Sequence, residues 1–336
     1  MRSLALYVGL DYSEDGVQVC LLDAQGRQVG NRWCANDWRE IAGFAGQHGE
    51  VAEAAIESCT GSANLAEELA TQAGWSIHLA HPGYVERMKQ SPDKTDYQDA
   101  RLLADLVRVG YLPRVWLAPA VVRDLRQLVR YRQQLVEQRR ATKLRVRAVL
   151  REYRCQPPSA VNAWTKAWLA WAKNGAAMGP LSRWVLDKHL TELQRLAQAI
   201  REVEERLAQA TAEDAMVQRL QEQAGIGPVT SWVIRAEIGR FDRFRSGKQL
   251  SRFCGLSPRN ASSGNRQADA GLIKAASPLL RGIIIEVAHR LPQQDVRWAK
   301  FRKRLQDMGK KGSVIAAAIG NRWVRWLYHQ MKPLAA

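Results

Sequence analysis

The sequence has few of the features that mark secreted, membrane or zinc-binding proteins. Its 336 residues include five cysteines, an odd number, and none of them form a Cys-x-x-Cys pair, which argues against a disulfide framework and against structural zinc. No apolar run approaches the ~18 residues that a membrane span requires, and the first residues lack the apolar segment of a signal peptide. We therefore expect a globular protein of the reducing cytoplasm.

Acidic residues are scarce after residue 100. The first 100 residues contain 7 Lys and Arg against 15 Asp and Glu, whereas residues 101–336 contain 43 against 18, and the whole chain has a net charge of +17. Because clustered Lys and Arg attract phosphate groups, this distribution favours nucleic acid held by the basic part and acted on by the acidic part. A basic surface that serves only solubility is the alternative.

Strand and helix patterns alternate through residues 1–90. Apolar runs bounded by turn residues predict strands, and apolar residues at helical spacing predict helices. The predicted strands are 4–10, 17–22, 28–34, 54–57 and 75–79, and the predicted helices are 38–45 and 61–73. With one further helix, the order β-β-β-α-β-α-β-α predicts a compact α/β domain of the RNase H-like fold.

That further helix begins in the stretch SPDKTDYQDA, residues 91–100. Thr95 is a favourable N-cap residue, and Gln98 three positions later completes a capping-box pattern. Apolar residues at helical spacing then predict a helix over 96–108. Asp96 complements the helix dipole, but Asp99 is a poor helix former that shares a helical face with it. The two acids are thus either a helix start or part of a metal site.

Two other carboxylates stand at predicted strand ends. Asp11 follows the first strand and Glu57 ends the strand that begins at Ala54. In an RNase H-like sheet these strands are neighbours, and the late helix would deliver Asp96 and Asp99 to the same edge. Four carboxylates in one place repel one another unless cations neutralise them, and their hard oxygens suit Mg²⁺ or Mn²⁺ in phosphoryl transfer. Strand-end turns and a helix cap remain the simpler reading of each acid alone.

A long basic helix is predicted over residues 121–153. Leu125, Leu128, Leu135, Thr142 and Val146 are on its apolar side, and residues 121–154 contain eleven Lys and Arg against three acids. Such a helix suits a phosphate backbone, although a solvated helix face would look similar. The candidate nucleic-acid contacts on it are Arg123, Arg126, Arg130, Arg139, Arg140, Lys143 and Arg147.

The middle of the chain is predicted to be helical. Trp164, Trp168 and Trp171 share a helical face, which favours packing over base stacking. Apolar residues over 193–210 alternate in steps of three and four, typical of a short coiled coil, antiparallel within the chain or between subunits.

Two glycine-containing segments follow. Residues 224–229, with Gly225 and Gly227, resemble the turn of a helix-hairpin-helix module, in which backbone N–H groups bind phosphate. Residues 255–266 form a polar loop, and a further basic segment precedes an apolar helix. The candidate nucleic-acid contacts here are Gly225, Gly227, Arg259, Arg266, Lys274 and Arg281.

Several motifs together resemble one family across nearly the whole chain. They are Asp11, Glu57 and Asp96-x-x-Asp99-Ala100, then Gly225-Ile226-Gly227, Phe253-Cys254-Gly255-Leu256-Ser257-Pro258, Ser263-Gly264 and the stretch from Lys274 to Arg281. This set resembles the DEDD transposases of insertion sequences, a group that includes the pilin-gene DNA invertases.

The resemblance implies three regions: an RNase H-like catalytic domain of the resolvase type (1–115), a basic helical and coiled-coil region (116–212) and a mostly helical transposase domain (213–336). It implies a nucleophilic serine, at Ser263 or else Ser262, and metal-dependent cutting and rejoining of DNA guided by a structured noncoding bridge RNA. It also implies dimers or tetramers, with sites built from domains of different subunits. One departure is Ala276, where the family pattern has glycine.

Two other functions stay open at this point. A metal-dependent nuclease or Holliday-junction resolvase would use the same carboxylates with water as the nucleophile. A non-catalytic nucleic-acid-binding protein would need none of the four carboxylates, and the presence of all four argues against it.

Overall fold

In the computed structural model, residues 4–89, 95–260, 269–273 and 276–332 are described. The chain divides into two compact units, residues 1–119 and residues 120–336. The first is mixed α/β and the second is mostly helical. No helix in the described part of the chain is long and apolar enough to cross a membrane. The predicted three-part division at 115 and 212 stays a prediction.

The first unit is built on a six-stranded mixed sheet with the order β3-β2-β1-β4-β5-β6. β2 pairs antiparallel with both β1 and β3, β4 runs parallel to β1 and to β5, and β6 is antiparallel to β5. The strands are β1 (Ala5–Tyr12), β2 (Val17–Leu22), β3 (Gln28–Cys34), β4 (Glu50–Glu57), β5 (Ile77–Ala80) and β6 (Arg114–Val115). The helices are α1 (Trp38–Gly46), α2 (Ser62–Gln72), α3 (Pro82–Val85) and α4 (Asp96–Arg108).

Helices cover both faces of this sheet. Leu10 and Ile56 belong to a core cluster with residues of α1 and α2 on one face. On the other face, Ala55 packs with Leu103 of α4, and Ala100 and Ala104 of α4 pack against Cys20. Apolar side chains are buried on both faces of the sheet, and this burial holds a layer of helices against each face. The α4 face is the one that matters for the candidate site.

The predicted elements agree closely with the observed ones where the pattern is long. Helix α4 has the predicted limits, and the Thr95 hydroxyl accepts a hydrogen bond from the Gln98 backbone N–H at 3.3 Å. Strand β1 extends to Tyr12, so Asp11 lies inside the strand and not beyond it. α3 and β6 were not predicted, because four and two residues are too few to carry a periodic pattern.

The second unit is organised by two long helices that pack antiparallel. Leu125 and Val129 near the start of α5 share a core with Val203 and Leu207 near the end of α7, whereas Val146 near the end of α5 packs with Leu186 and Leu190 near the start of α7. The helices are α5 (Ala120–Glu152), α6 (Lys166–Asn174), α7 (Pro180–Ala210), α8 (Ala215–Gln221), α9 (Pro228–Ile238), α10 (Gly247–Phe253), α11 (Pro278–Gln294), α12 (Val296–Asp307) and α13 (Gly312–Met331), with a hairpin of β7 (Pro258–Asn260) and β8 (Asp269–Leu272).

The tryptophan stripe belongs to the packing of this unit. Trp168 is 4% exposed and its ring lies 4.5 Å from that of Trp164 and 5.8 Å from that of Trp171. Trp164 precedes α6 and has φ +71°, so the stripe begins outside the helix. The coiled coil between subunits stays a prediction.

Candidate active site

Asp11 and Glu57 lie side by side on adjacent parallel strands. The residues before them, Leu10 and Ile56, are register partners of β1 and β4. Both partners are buried against α1 and α2, and side chains alternate between the two faces of a strand. Asp11 and Glu57, both half-buried, therefore project together from the face that α4 covers.

The pKa of the Cys59 thiol is raised above its ordinary value. Burial raises the pKa of Cys59, a hydrogen bond with Ser62 lowers it, and the negative charges of Glu57 and Asp11 both raise it. A thiolate is disfavoured by nearby negative charge. The register of β1 and β4 is what places the two carboxylates side by side.

Helix α4 crosses this face directly over Gly9. A Cβ atom on Gly9 would come within 1.9 Å of the Ala100 carbonyl oxygen and 2.4 Å of the Ala104 backbone nitrogen. Real Cβ atoms do not approach backbone atoms so closely, so only glycine lets the helix lie this near the strand. Gly9 is two residues from Asp11 and therefore fixes the distance from helix to carboxylate.

The helix runs in the direction opposite to β1. At its end, Arg108 donates a hydrogen bond to the carbonyl of Ala24, in the turn between β2 and β3, at 3.3 Å. At its start, the Tyr97 carbonyl accepts a hydrogen bond from Asn31 of β3 at 3.2 Å. Asn31 is the register partner of Cys20, which pairs in turn with Gly9. The helix start therefore lies over β3 at the level of Gly9, and the helix end lies near the turn that follows β2.

Asp96 lies in the first turn of α4, before the part of the helix that crosses Gly9. Asp96 is four residues before Ala100, about 6 Å along a helix, and Asp11 is two residues beyond Gly9, about 7 Å along a strand. Both displacements run toward the end of the sheet where β1 ends, but the hydrogen bonds of the neighbouring Tyr97 place the helix start over β3, two strands from β1. Asp96 is exposed.

An amide pair connects the first turn of α4 to the sheet. Gln18, the register partner of Asp11, donates from its side chain to Asn31 Oδ1 at 2.6 Å, and Asn31 donates to the Tyr97 carbonyl. Gln28 also donates to the Tyr97 hydroxyl. The two bonds to Tyr97 hold the start of α4 against β3, and the bond between Gln18 and Asn31 links β2 to β3 within the sheet.

Asp99 is held by a lysine. Its side chain is 10% exposed, and Lys89 Nζ, in a side chain 17% exposed, donates to Asp99 Oδ2 at 2.8 Å. Lys89 also contacts Glu86 Oε2 at 3.2 Å. Burial lowers the pKa of Lys89, but the bonds with Asp99 and Glu86 together outweigh it and raise the pKa above its ordinary value. Asp99 is therefore a buried carboxylate with a cation bound to it.

The basic surface of α5 divides into two parts. Near its start, Arg126 donates to the Ala236 carbonyl at 3.1 Å, and Arg130 forms a salt bridge with the buried Glu237 at 3.1 Å. These two arginines, predicted to contact nucleic acid, are used to hold α5 against α9. Arg123, near the start of α5, is half-buried and has an interaction within the protein.

Farther along α5, cations gather on one face. Lys143 Nζ lies 4.8 Å and the Arg147 guanidinium 5.4 Å from the centre of the Trp164 ring. Burial lowers the pKa of Lys143, and the charges of Arg139 and Arg147 lower it further. In the described chain, no acid forms a salt bridge with Arg139, Arg140, Lys143 or Arg147. This cationic face, defined as those four residues, is open to an anion.

The predicted hairpin is present in the second unit. α8 ends at Gln221, Gly225 turns the chain with φ +83°, and α9 begins at Pro228 after Gly227. Gly225 packs against Val287 and Leu291, whereas a Cβ on Gly227 would meet nothing within 4 Å. Gly227 thus borders open space, and α9 begins with Pro228, which has no backbone N–H to donate.

The serine loop lies mostly outside the described residues. Ser262, Ser263, Arg266 and Lys274 are among the residues that are not described, so their assignments stay predictions. Arg259 is exposed on β7 and Arg281 is half-buried on α11. A Cβ on Gly255 would lie 2.9 Å from Arg281 Nε, which places the Arg281 side chain beside the start of this loop.

Comparisons with known proteins identify the family of the chain. A model of DEDD transposases of IS110 elements matches residues 8–155, and one described as "Transposase IS116/IS110/IS902 family" matches residues 217–304. The chain belongs to the IS110 family of DEDD transposases.

Relatives of the family extend the match along the chain. A transposase for insertion sequence element IS1111A of Coxiella burnetii is 26% identical, covering 95% of this chain and 88% of the relative. A probable family 20 transposase of Pseudomonas aeruginosa is 29% identical, covering 82% of both chains. A transposase for element IS1328 of Yersinia enterocolitica is 25% identical, covering 81% of both. Such membership implies an enzyme that cuts and rejoins DNA.

For a DEDD transposase, the four acids provide the right donors but not an assembled metal centre. Carboxylate oxygens are the ligands that Mg²⁺ and Mn²⁺ prefer. Across the described residues, however, no three His, Cys, Asp or Glu side chains are grouped so that they could share a metal ion. Asp11 and Glu57 are together, and Asp99 is occupied by Lys89. A metal that uses Asp99 therefore requires Lys89 to move.

Ala276, which stands where the family pattern has glycine, packs against Gly255. Gly255 has φ +69°, and a Cβ there would lie 2.7 Å from the Ala276 methyl group. Ala276 thus packs directly on a glycine backbone, which leaves no room for a side chain on Gly255. The extra methyl group, where the IS110 pattern has glycine, is accommodated by this contact.

Sequence reasoning missed two residues of these sites. Lys89 is ten positions before Asp99 and outside any helix that includes it, so no spacing rule links them. For Trp164 the sequence favours packing over base stacking. It does not show that Lys143 and Arg147 lie over the ring. An aromatic residue near a basic helix is a weak signal for such a contact, because sequence does not reveal which ring meets which helix.

Proposed function

We propose that this protein is an RNA-guided DNA recombinase that moves an insertion sequence, with an RNase H-like first unit. Strand β1 lies between β2 and β4, as the RNase H-like hypothesis requires. The first three strands follow one another in the chain, and each is antiparallel to the next. In this proposal Asp11, Glu57, Asp96 and Asp99 hold Mg²⁺ or Mn²⁺, and Ser263 is the nucleophile. Guide RNA and assembly as a dimer or tetramer are part of the same proposal.

One observation carries the proposal. Asp11 and Glu57 are neighbours on one face of the sheet, and α4, the helix that contains Asp96 and Asp99, crosses that face over Gly9. A helix cap or strand-end turn would explain each acid alone but would not require that they converge. Carboxylates that converge at an open edge are suited to binding divalent cations beside a phosphodiester.

The chemistry proposed for the serine is a balanced phosphoryl transfer. The Ser263 hydroxyl oxygen bonds to the scissile phosphorus, one bridging P–O bond breaks, and the departing DNA hydroxyl takes up a proton while the serine loses one. A serine hydroxyl needs activation for this step, and a divalent ion, when bound, would supply Lewis-acid stabilisation of the phosphate charge. The covalent link conserves the bond energy, so the strand can be rejoined to a new partner.

A covalent protein–DNA adduct is the expected product when protein, its guide RNA and DNA are combined with Mg²⁺. The adduct survives denaturation and is detected as a shifted band that carries both labels. Ser263→Ala is expected to abolish it, whereas Ser262→Ala is expected to retain it. If Ser263→Ala forms the adduct as well as the unchanged protein does, Ser263 is not the nucleophile.

A nuclease or junction resolvase is the second candidate for the same carboxylates. It would use the neighbouring Asp11 and Glu57 with water in place of serine as the nucleophile. In that case, DNA strands would be cut without any covalent adduct, and Ser263→Ala would cut normally. The adduct measurement therefore separates the two candidates.

The cationic face of α5 is proposed to bind the nucleic-acid backbone. Replacing Lys143 and Arg147 together by Gln is expected to weaken binding of RNA or DNA by about tenfold and to reduce the salt dependence of binding by roughly two counterions. The measurement is fluorescence anisotropy over a series of salt concentrations.

The matched control is Arg195→Gln. Arg195 is an exposed arginine on α7 that is paired with Glu192 at 2.7 Å, so its loss is expected to change binding by less than about twofold. The double variant removes two positive charges and Arg195→Gln removes one. A loss of binding free energy in Arg195→Gln that is half or more of the loss in the double variant would mean that only net charge is sensed, and the α5 site would be wrong.

A further inference from the structure

Lys89 is the residue on which this inference rests. Its ammonium group donates to Asp99 at 2.8 Å and contacts Glu86 at 3.2 Å, and its side chain is 17% exposed. Glu86 is 72% exposed in its side chain, whereas Asp99 is 10% exposed. The lysine therefore joins a buried carboxylate on α4 to a surface carboxylate on the preceding segment.

A buried carboxylate needs a cation or several hydrogen bonds. For Asp99 that cation is Lys89. A divalent ion would need the same carboxylate, and an ammonium group hydrogen-bonded to it repels a second cation. Lys89 and a metal ion thus compete for Asp99 and do not share it.

The pair can be reached from solvent. Lys89 and Asp99 both line an open cavity of about 470 Å³, together with Gln98 and Arg101. A hydrated ion can therefore approach Asp99 without unfolding of the helix. Lys89 keeps a partner when it leaves Asp99, because its ammonium group has three donors and already contacts Glu86.

We propose that Lys89 is a tethered counter-cation that occupies Asp99 in the metal-free protein and is displaced when a divalent ion binds. This inference rests on the proposed metal site. Lys89 then sets the metal affinity of the Asp99 position and keeps the buried carboxylate neutralised until the ion arrives. It is a positioning residue: it acts on Asp99 and not on the DNA.

Mn²⁺ binding to the full chain tests this role without any measurement of activity. Free Mn²⁺ is followed by electron paramagnetic resonance during titration of the unchanged protein and of Lys89→Met. Lys89→Met is expected to lower the dissociation constant by about tenfold or more, because the metal no longer has to break a charged hydrogen bond. Without metal, the same variant is expected to have a lower Tm that Mn²⁺ restores.

Two control variants separate charge from shape. Lys89→Arg keeps a cation at Asp99 and is expected to bind Mn²⁺ no more tightly than the unchanged protein. Glu86→Gln leaves the pair with Asp99 intact and is expected to change the dissociation constant by less than about twofold, because Glu86 is largely exposed. An unchanged or weaker Mn²⁺ affinity in Lys89→Met would overturn the inference.

Failure of this inference can be told apart from failure of the metal site. If Asp99→Asn does not weaken Mn²⁺ binding, the proposed site at Asp99 is wrong. If Asp99→Asn weakens binding but Lys89→Met does not strengthen it, only the role of Lys89 is wrong. If Lys89→Met unfolds without metal, Mn²⁺ is expected to refold it; a variant that stays unfolded with Mn²⁺ would show that the lysine is a structural group and would also overturn the inference.

Discussion

Asp11→Asn and Glu57→Gln are each expected to lower the rate of DNA strand cleavage by about a thousandfold. Each removes a carboxylate that is proposed to bind metal at the edge where β1 and β4 end, and loss of electrostatic stabilisation at a phosphoryl-transfer site costs several kcal/mol of transition-state energy. Both replacements keep the size of the side chain, so the sheet is expected to fold normally. The measurement is the single-turnover rate on labelled DNA with guide RNA and Mg²⁺.

Glu50→Gln is the matched control for this pair. Glu50 begins the same strand as Glu57 and is exposed at the opposite end of the sheet. Its replacement removes one negative charge from the first unit without touching the candidate edge, and the cleavage rate is expected to stay within about twofold. A comparable loss in Glu50→Gln, or normal rates in Asp11→Asn and Glu57→Gln, would contradict the assignment of the site.

Gly9→Ala is expected to destabilise the first unit by about 3 kcal/mol or more, because the added methyl group must displace α4. The atoms it would meet are backbone atoms of Ala100 and Ala104, at 1.9 and 2.4 Å, and backbone cannot rotate away as a side chain can. Since α4 carries Asp96 and Asp99, cleavage is expected to fall even where the protein still folds. Urea unfolding followed by circular dichroism measures the loss.

Gly43→Ala supplies the control of opposite sign. Gly43 lies inside α1, and a Cβ there would meet nothing within 4 Å. Alanine favours helix over glycine, so this variant is expected to gain about 0.5–1 kcal/mol. A similar small effect in both variants would mean that α4 does not rest on Gly9 as described.

Much of the first unit can be predicted because its signals are local. Thr95 and the apolar spacing after it fix the start and length of α4, and the predicted limits are those observed. The limits of β2 and β3 also agree. The predicted neighbourhood of Asp11 and Glu57 depends on fold topology, and the observed sheet order places their strands side by side.

The contacts between distant residues could not be predicted in the same way. Lys89 binds Asp99 through a segment with no periodic pattern, and composition gives no reason to pair this lysine with that acid. Arg126 and Arg130 looked like the other arginines of α5, and only the packing of α9 shows that they bind Ala236 and Glu237. Helical periodicity identifies a face but not what covers it.

The location of bound Mn²⁺ tests the central claim most directly. Crystals of the protein grown with Mn²⁺ and measured at a wavelength where manganese scatters anomalously would show each ion as a separate peak. We predict a peak bonded to carboxylate oxygens of both Asp11 and Glu57, with an acid of α4 beside it and Lys89 displaced from Asp99. The account would be contradicted if the crystallised protein cuts DNA and its manganese is bound by neither Asp11 nor Glu57.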